Sequence, residues 1–356
     1  MSKFINVIIN PVGDACNLKC TYCYTLRRQE ARGELPLNQL FKLFKTISNL
    51  EGIEHICYTW HGGEPLLMGI DYFRKAIDYQ AEVSESVIYE NIIQTNGLLI
   101  NKDWIELFIK EHISVGISID GIDYKSNRNR FASEEQFQQL LENLKLLKSL
   151  NFTPSLFFTL TKSNIEQLDE IFAFIEAYQP SCYMFNPVMD DNFAISSEVW
   201  CNILLQMHDF SNRTQIMNAL TYHIDNGIHG KVPGLCLVNG MCNKFISVNN
   251  KADVFASCIN HSPDFYLSSI DLDSLKTDIQ HYVNTPINMN APSIYQKLGK
   301  NYAYRYFQGN GCEKCRSSKN NAEFTNGIAQ YIIIVGKGQD ARKCSITTHL
   351  ASRPTI

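Results

Sequence analysis

Residues 16–23 read Cys16-Asn17-Leu18-Lys19-Cys20-Thr21-Tyr22-Cys23, and they follow closely on a short apolar run, Phe4–Ile9. Such a run reads as a strand covered on both faces, so three thiols fall on the loop that leaves a buried strand. Thiolates are soft ligands suited to iron and zinc. Three on one loop can bind three irons of a cubane and leave the fourth open to another ligand. A structural zinc site is the alternative. Zinc closes four ligands, usually from paired Cys or His, and His61 is the nearby candidate for the fourth.

Beyond the triad the chain alternates strand-like and helix-like segments. Strands are predicted at Phe4–Ile9, His55–Trp60, Val87–Thr95, Ser114–Ile119, Pro154–Leu160 and Cys182–Pro187. The clearest helix runs from Glu134 to Ser149, with Phe137, Leu140, Leu141, Leu144 and Leu147 on one face. Ser133 with Gln136 has capping-box spacing, and Ser163 with Glu166 repeats it. Six β/α units predict an α/β fold with a parallel sheet and helices outside. Six is short of eight, so the expected form is an open partial (β/α)6 TIM-like barrel, with reactive groups at the carboxyl ends of its strands.

The alternation fades near Cys201, and a loop-rich region begins at Val232. Residues 1–231 are therefore expected to form the barrel with a connecting helix, and 232–356 a C-terminal cysteine-rich domain in which metal centres substitute for a large core. Apolar residues make up 45% of the 356 and charged residues 19%, a globular composition, and the net charge is −4. Nothing in that balance calls for a nucleic-acid or membrane partner. No apolar run approaches a bilayer span and no signal peptide is legible, so a cytoplasmic protein is expected. Twelve cysteines in a reducing compartment read as ligands more naturally than as disulfides. Cys57, Cys182 and Cys201 stand alone, and all three are read as core residues.

The spacing Cys-x-x-x-Cys-x-aromatic-Cys, with Tyr22 as the aromatic, resembles the radical S-adenosylmethionine (SAM) superfamily. Three further stretches match that family at successive strand ends: Trp60-His-Gly62-Gly63-Glu64-Pro65, Gln94-Thr95-Asn96-Gly97 and Ser118-Ile119-Asp120-Gly121. The resemblance implies a catalytic [4Fe–4S] cluster on Cys16, Cys20 and Cys23, whose open iron chelates SAM. It also implies that Tyr22, Gly62, Gly63, Glu64, Thr95, Asn96, Ser118 and Asp120 surround the cofactor, the glycines by close backbone approach. Arg130 is read either as a partner of the cofactor carboxylate or as a solvated arginine. An electron donor such as flavodoxin or ferredoxin is implied as well.

Cys236, Cys242, Cys258, Cys312, Cys315 and Cys344 resemble the auxiliary-cluster region called SPASM, or its shorter relative, twitch. The full SPASM pattern has seven cysteines, and the stretch from Arg316 to Thr325, where two more belong, contains none. A twitch arrangement would hold one auxiliary [4Fe–4S] cluster on Cys242, Cys258, Cys312 and Cys315. A degenerate SPASM arrangement would hold two, on Cys236, Cys242 and Cys258 and on Cys312, Cys315 and Cys344. A zinc ribbon is the remaining possibility.

Relatives with such a region act mostly on peptides and proteins. The motifs resemble both the maturases of ribosomally made peptides, which crosslink side chains, and the anaerobic sulfatase maturases, which make formylglycine. The cysteine shortage favours oxidative crosslinking of a precursor peptide, of the C–C cyclophane type or similar; oxidation of a small molecule is a further alternative. The chain enters its first strand at once, so a leader peptide is expected to bind elsewhere or on a separate protein. Asp190 and Asp191, just past the sixth strand, are read as the candidate proton acceptors or as solvated loop acids.

Overall fold

The computed structural model describes residues 4–23, 25, 32–84, 86–188, 195–229, 242–258, 261, 263–285, 327–332 and 334–335, the side chain of Cys242 excepted. Six parallel strands lie in chain order: β1 (Phe4–Ile9), β2 (His55–Trp60), β3 (Ile88–Thr95), β4 (Ser114–Ile119), β5 (Ser155–Leu160) and β6 (Tyr183–Pro187). Each falls within a residue of its expected bounds. Cys182 lies just outside β6, yet its carbonyl still accepts from Leu156 N at 2.9 Å.

Strands that follow one another in chain order, each joined by a right-handed crossover, place their connecting helices on one face. The burial agrees. Ile5, Val7, Ile9, Ile56, Tyr58 and Trp60 are buried, and an aromatic run joins them to α1 (Leu37–Ser48), α2 (Ile70–Val83) and α3 (Lys102–Lys110). Trp60 lies 6.3 Å from Phe44 and 4.7 Å from Phe73, and Phe73 lies 5.3 Å from Trp104, centroid to centroid. Trp60 Nε1 donates to Asn91 Oδ1 at 2.9 Å, and Asn91 Nδ2 donates to Gln80 Oε1 at 2.8 Å, so these buried polar groups are satisfied.

The alternate residues face the other way, to the opposite face of the sheet. In-register neighbours of a parallel sheet point to the same face, so the pairings Asn6↔Cys57 and Cys57↔Glu90 place those three side chains together. Cys57 is half-buried on this inner face, which corrects its reading as a core hydrophobe. Its parity is opposite to that of Ile56, Tyr58 and Trp60. Cys182 and Cys201 are buried, as expected.

The stretch after residue 231 departs from its loop-rich reading. β7 (Phe245–Val248) pairs parallel with β1, and β8 (Asp253–Phe255) and β9 (Tyr266–Ser269) follow antiparallel, giving the order β6-β5-β4-β3-β2-β1-β7-β8-β9. Ile246, Val248, Val254 and, from the helix Leu275–Asn284, Leu275 and Ile279 join the same apolar cluster as Ile5 and Val7. Among the described residues, the core thus continues across the expected boundary by ordinary apolar packing. Strands of three or four residues leave little periodicity to read.

The helix expected at Glu134–Ser149 (α4) is present, but its capping box is not formed. Ser133 makes no side-chain cap bond, while Gln136 Oε1 accepts from Ala132 N at 2.9 Å. The second box is absent. Ser163 bonds Thr161, and Asn164 accepts from Thr161 N while its amide donates to the carbonyls of Asp120 (2.7 Å) and Thr159 (2.8 Å). Tertiary demands took that residue, and α5 begins only at Leu168.

Candidate active site

The loop after β1 is fastened to the end of β2 through backbone bonds. Gly63 N donates to Gly13 O at 3.1 Å, Glu64 N to Ala15 O at 2.8 Å, and His61 N to Ile9 O at 2.9 Å. This packing is what requires the two glycines. A Cβ on Gly63 would lie 2.0 Å from Ala15 O, and one on Gly62, whose φ is +129°, would lie 2.0 Å from Asn10 Oδ1. The close approach expected of a ligand is made instead by the chain's own cysteine-bearing loop.

Glu64 is 1% exposed and joins the ends of β2 and β3. Its carboxylate accepts from Asn96 N and Thr95 Oγ1, both at 2.8 Å, and from Leu66 N at 3.1 Å. Burial outweighs these bonds and lifts its pKa from 4.5 to about 7. The folded state therefore binds this proton more tightly than the unfolded chain, so stability falls as pH rises from about 4.5 to about 7, by about 3 kcal/mol. Urea melts across that window should show wild type losing this much relative to Glu64→Gln. Parallel curves would show that the carboxyl is not titrating as a buried acid.

Cys16, Cys20 and Cys23 are free and half-buried. A turn brings Cys23 N to Cys20 O at 3.0 Å, and Leu18 N lies 3.4 Å from Cys16 Sγ. Asn96, at the end of β3, leans over the loop, with Nδ2 2.7 Å from Asn17 Oδ1 and 3.8 Å from Cys16 Sγ. Burial raises the Cys16 thiol and pushes Cys20 up to about 12. Thiolates here need a cationic partner, which iron provides. Among the described residues no three Cys, His, Asp or Glu side chains gather as ligands of a single metal ion. A cubane asks for something else, one thiolate at each of three irons. Three free thiols on one loop are a donor set of that kind.

A second fastening lies opposite. Thr21 N donates to Asn129 O at 2.8 Å, and Tyr22 Oη donates to Asp120 Oδ2. Arg130 donates from Nε (3.0 Å) and Nη2 (2.8 Å) to Asp120 Oδ1, and from Nη2 to Thr159 Oγ1 at 3.1 Å. Arg130 is 8% exposed and Asp120 1%, so the solvated reading of Arg130 is incorrect. Thr159 and Asn164 belong to this network and escaped the sequence reading, which assigned nothing at the end of β5; the polar Thr159 near that end was the available signal. Asp120→Asn leaves a buried guanidinium without its counter-charge and should cost about 3–5 kcal/mol in urea unfolding. Thr159→Val, which removes one neutral acceptor, should cost about 1 kcal/mol. Equal costs would contradict this division.

Ser118 Oγ accepts from Gln94 Nε2 at 2.8 Å, so the ends of β3 and β4 are joined on the inner face. His261, absent from the sequence reading, stacks on Phe255 (4.7 Å) with Nε2 3.1 Å from Ser247 Oγ. Ser247 pairs with Ile8, so this imidazole also lies on the inner face. Asp190, Asp191, Cys236, Cys312, Cys315 and Cys344 lie outside the described residues, as does the Cys242 side chain. Cys258 follows β8 as a half-buried cysteine.

Residues 10–175 match the radical SAM superfamily model. The chain carries a radical SAM domain. A serine-type anaerobic sulfatase-maturating enzyme of Bacteroides thetaiotaomicron is 23% identical over 331 residues, 82% of this chain and 79% of the relative. A cysteine-type enzyme of Clostridium novyi is 29% identical over 288 residues, 74% of this chain and 75% of the relative. The fold of the radical SAM domain and its extension resembles that of native anSMEcpe with bound AdoMet, with a TM-score of 0.77 at 20% identity, covering 94% of this chain and 98% of the other. It also resembles SuiB of Streptococcus suis bound to S-adenosylmethionine, with a TM-score of 0.60 at 14% identity, covering 84% and 71%. Radical SAM domains work with a [4Fe–4S] cluster and SAM. No helix among the described residues is long and apolar enough to cross a membrane.

Proposed function

We propose that this protein is a radical SAM enzyme that modifies a ribosomally made peptide by oxidative side-chain crosslinking. The observation that carries the reading is the cysteine loop, three free thiols fastened to the ends of β2, β3 and β4 in a radical SAM domain. When bound, the cluster and SAM supply a 5′-deoxyadenosyl radical that takes a hydrogen atom from the substrate. The chain's own part is to hold and orient. Cys16, Cys20 and Cys23 would ligate the cluster. Asn96 and Ser118 would border SAM, and Gly62–Glu64, Asp120, Arg130 and Tyr22 would keep the cysteine loop in place.

Peptide chemistry is supported by the relatives. Structures similar to this one include anSMEcpe with a bound peptide and SuiB with its precursor peptide SuiA. Crosslinking, over formylglycine formation, is favoured by the cysteine-free stretch from Arg316 to Thr325, since in the two-cluster arrangement each auxiliary cluster has three cysteines and leaves an iron open to substrate or to a non-cysteine ligand. Auxiliary ligands would come from Cys236, Cys242, Cys258, Cys312, Cys315 and Cys344. Asp190, Asp191 and His261 are the candidate acceptors for the proton released on oxidation.

Co-expression with the short open reading frame beside its gene, followed by mass spectrometry, tests the proposal. Crosslinking predicts the loss of two hydrogens, fragment ions missing between the joined residues, and no aldehyde trapped by a hydrazine. A trapped aldehyde would assign formylglycine formation instead, and an unchanged peptide would remove the proposed substrate.

A further inference from the structure

The inner face of the sheet differs from an ordinary polar surface in its charge. In-register pairing fixes which strand residues point inward. At the level farthest from the cysteine loop stand Phe4, His55 and Ile88. Asn6, Cys57 and Glu90 come next. Ile8, Thr59, Ile92 and Ser114 follow, with Ser247 beside Ile8. Nearer the strand ends come Gln94 with Gly116 and Ser155, then Ser118 with Phe157 and Met184. Across the inward positions of β1–β7 there is therefore one formal charge, Glu90. Of the ionisable groups at the strand ends, Asp120 and Arg130 are spent on each other, and Glu64 is buried and taken up by Leu66 N, Thr95 Oγ1 and Asn96 N. The imidazoles of His55, His61 and His261 add no negative charge.

Cys57 and Glu90 are register partners on adjacent strands, roughly 5 Å apart along the backbone. Glu90 is exposed and Cys57 half-buried, so solvent reaches this part of the wall. The Cys57 thiol is raised first by burial and then by the Glu90 charge, which means that the carboxylate field extends over the neighbouring inward position.

We propose that Glu90 is a specificity-determining residue of the cavity: the barrel admits neutral or cationic substrate side chains and rejects anionic ones. The physical reason is one-sided. An anionic group entering this wall meets amides, hydroxyls and apolar side chains but no strand-borne cation, and it approaches a fixed carboxylate. A neutral group loses little water-derived stabilisation there, and a cationic group gains from Glu90. The inference rests on the proposed peptide substrate, whose side chains would enter this space.

Cys57 provides a probe that needs no substrate. The folded protein is treated with a cationic and an anionic methanethiosulfonate of equal size, and modification of Cys57 is followed by peptide mass spectrometry. The cationic reagent should react about tenfold faster with Cys57, relative to the same ratio in the urea-unfolded chain. Glu90→Gln should bring the ratio close to the unfolded value, and Glu90→Lys should invert it, with each variant's melting temperature checked against wild type. Equal rates for both reagents, a faster anionic reaction, or a Cys57 that neither reagent reaches would overturn the proposal. Because this readout involves no peptide, its failure leaves the crosslinking reading standing. Failure of the peptide experiment leaves the charge selectivity of the cavity standing.

Discussion

Replacing Cys16, Cys20 and Cys23 together with alanine will reduce 5′-deoxyadenosine formation to background and remove about four irons per chain on cubane stoichiometry. The three thiols are the donor set of one short loop, and backbone bonds from that loop to Gly63, Glu64 and Asn129 are independent of the cysteine side chains. The variant should therefore fold. Its melting temperature should stay close to that of wild-type apoprotein, and any iron bound after residue 231 should remain. Iron and sulfide analysis of anaerobically reconstituted protein checks the iron loss, and chromatography of the reduced reaction checks the loss of cleavage. A variant that still forms 5′-deoxyadenosine would place the chemistry elsewhere in the chain.

Gly63→Val will damage the fold and the cluster site together. The new Cβ would lie 2.0 Å from Ala15 O and 2.8 Å from Ala15 C, backbone atoms that cannot swing aside as a side-chain tip could. Either the loop carrying Cys16 moves or the end of β2 does, and the Gly63 N–Gly13 O and Glu64 N–Ala15 O bonds go with it. A loss of roughly 4 kcal/mol or more is expected, at the upper end for single substitutions. Reconstitution of the catalytic cluster should fail even in molecules that remain folded. Urea unfolding of the apoprotein, paired with iron analysis of the folded fraction, reads both effects. If stability is unchanged and SAM affinity alone falls, the glycine borders the cofactor and the contact with Ala15 is not the reason for it.

That substitution also shows what the sequence could convey. The Gly62-Gly63 pair signals that something approaches the backbone closely, but a linear sequence does not say what, and the partner is the distant loop carrying Asn10, Gly13 and Ala15. The six parallel strands were legible because each is a run of β-branched and apolar residues long enough to show its burial. β8, Asp253–Phe255, is three residues beginning with an acid and has meaning only through its pairing with β7. Among the site residues, the strand-end motifs were found from their order along the chain. The fate of Arg130 was not, because Asp120 lies across a turn from it and the sequence offers no measure of burial. Cys57 was misjudged for a similar reason. The alternation places it on the inner face, but only the all-on-one-side helices make that face a cavity lining and not a core.

The central claim is that the triad loop holds a cluster that SAM engages directly. The measurement that tests it most directly is electron paramagnetic resonance of the reconstituted, dithionite-reduced protein, recorded before and after addition of SAM, with 5′-deoxyadenosine quantified in the same sample. A reduced [4Fe–4S] signal that changes shape on SAM addition and is absent from the Cys16/Cys20/Cys23 triple alanine variant, with 5′-deoxyadenosine formed, is the result expected. A signal that SAM leaves unaltered, with no 5′-deoxyadenosine formed, would contradict it.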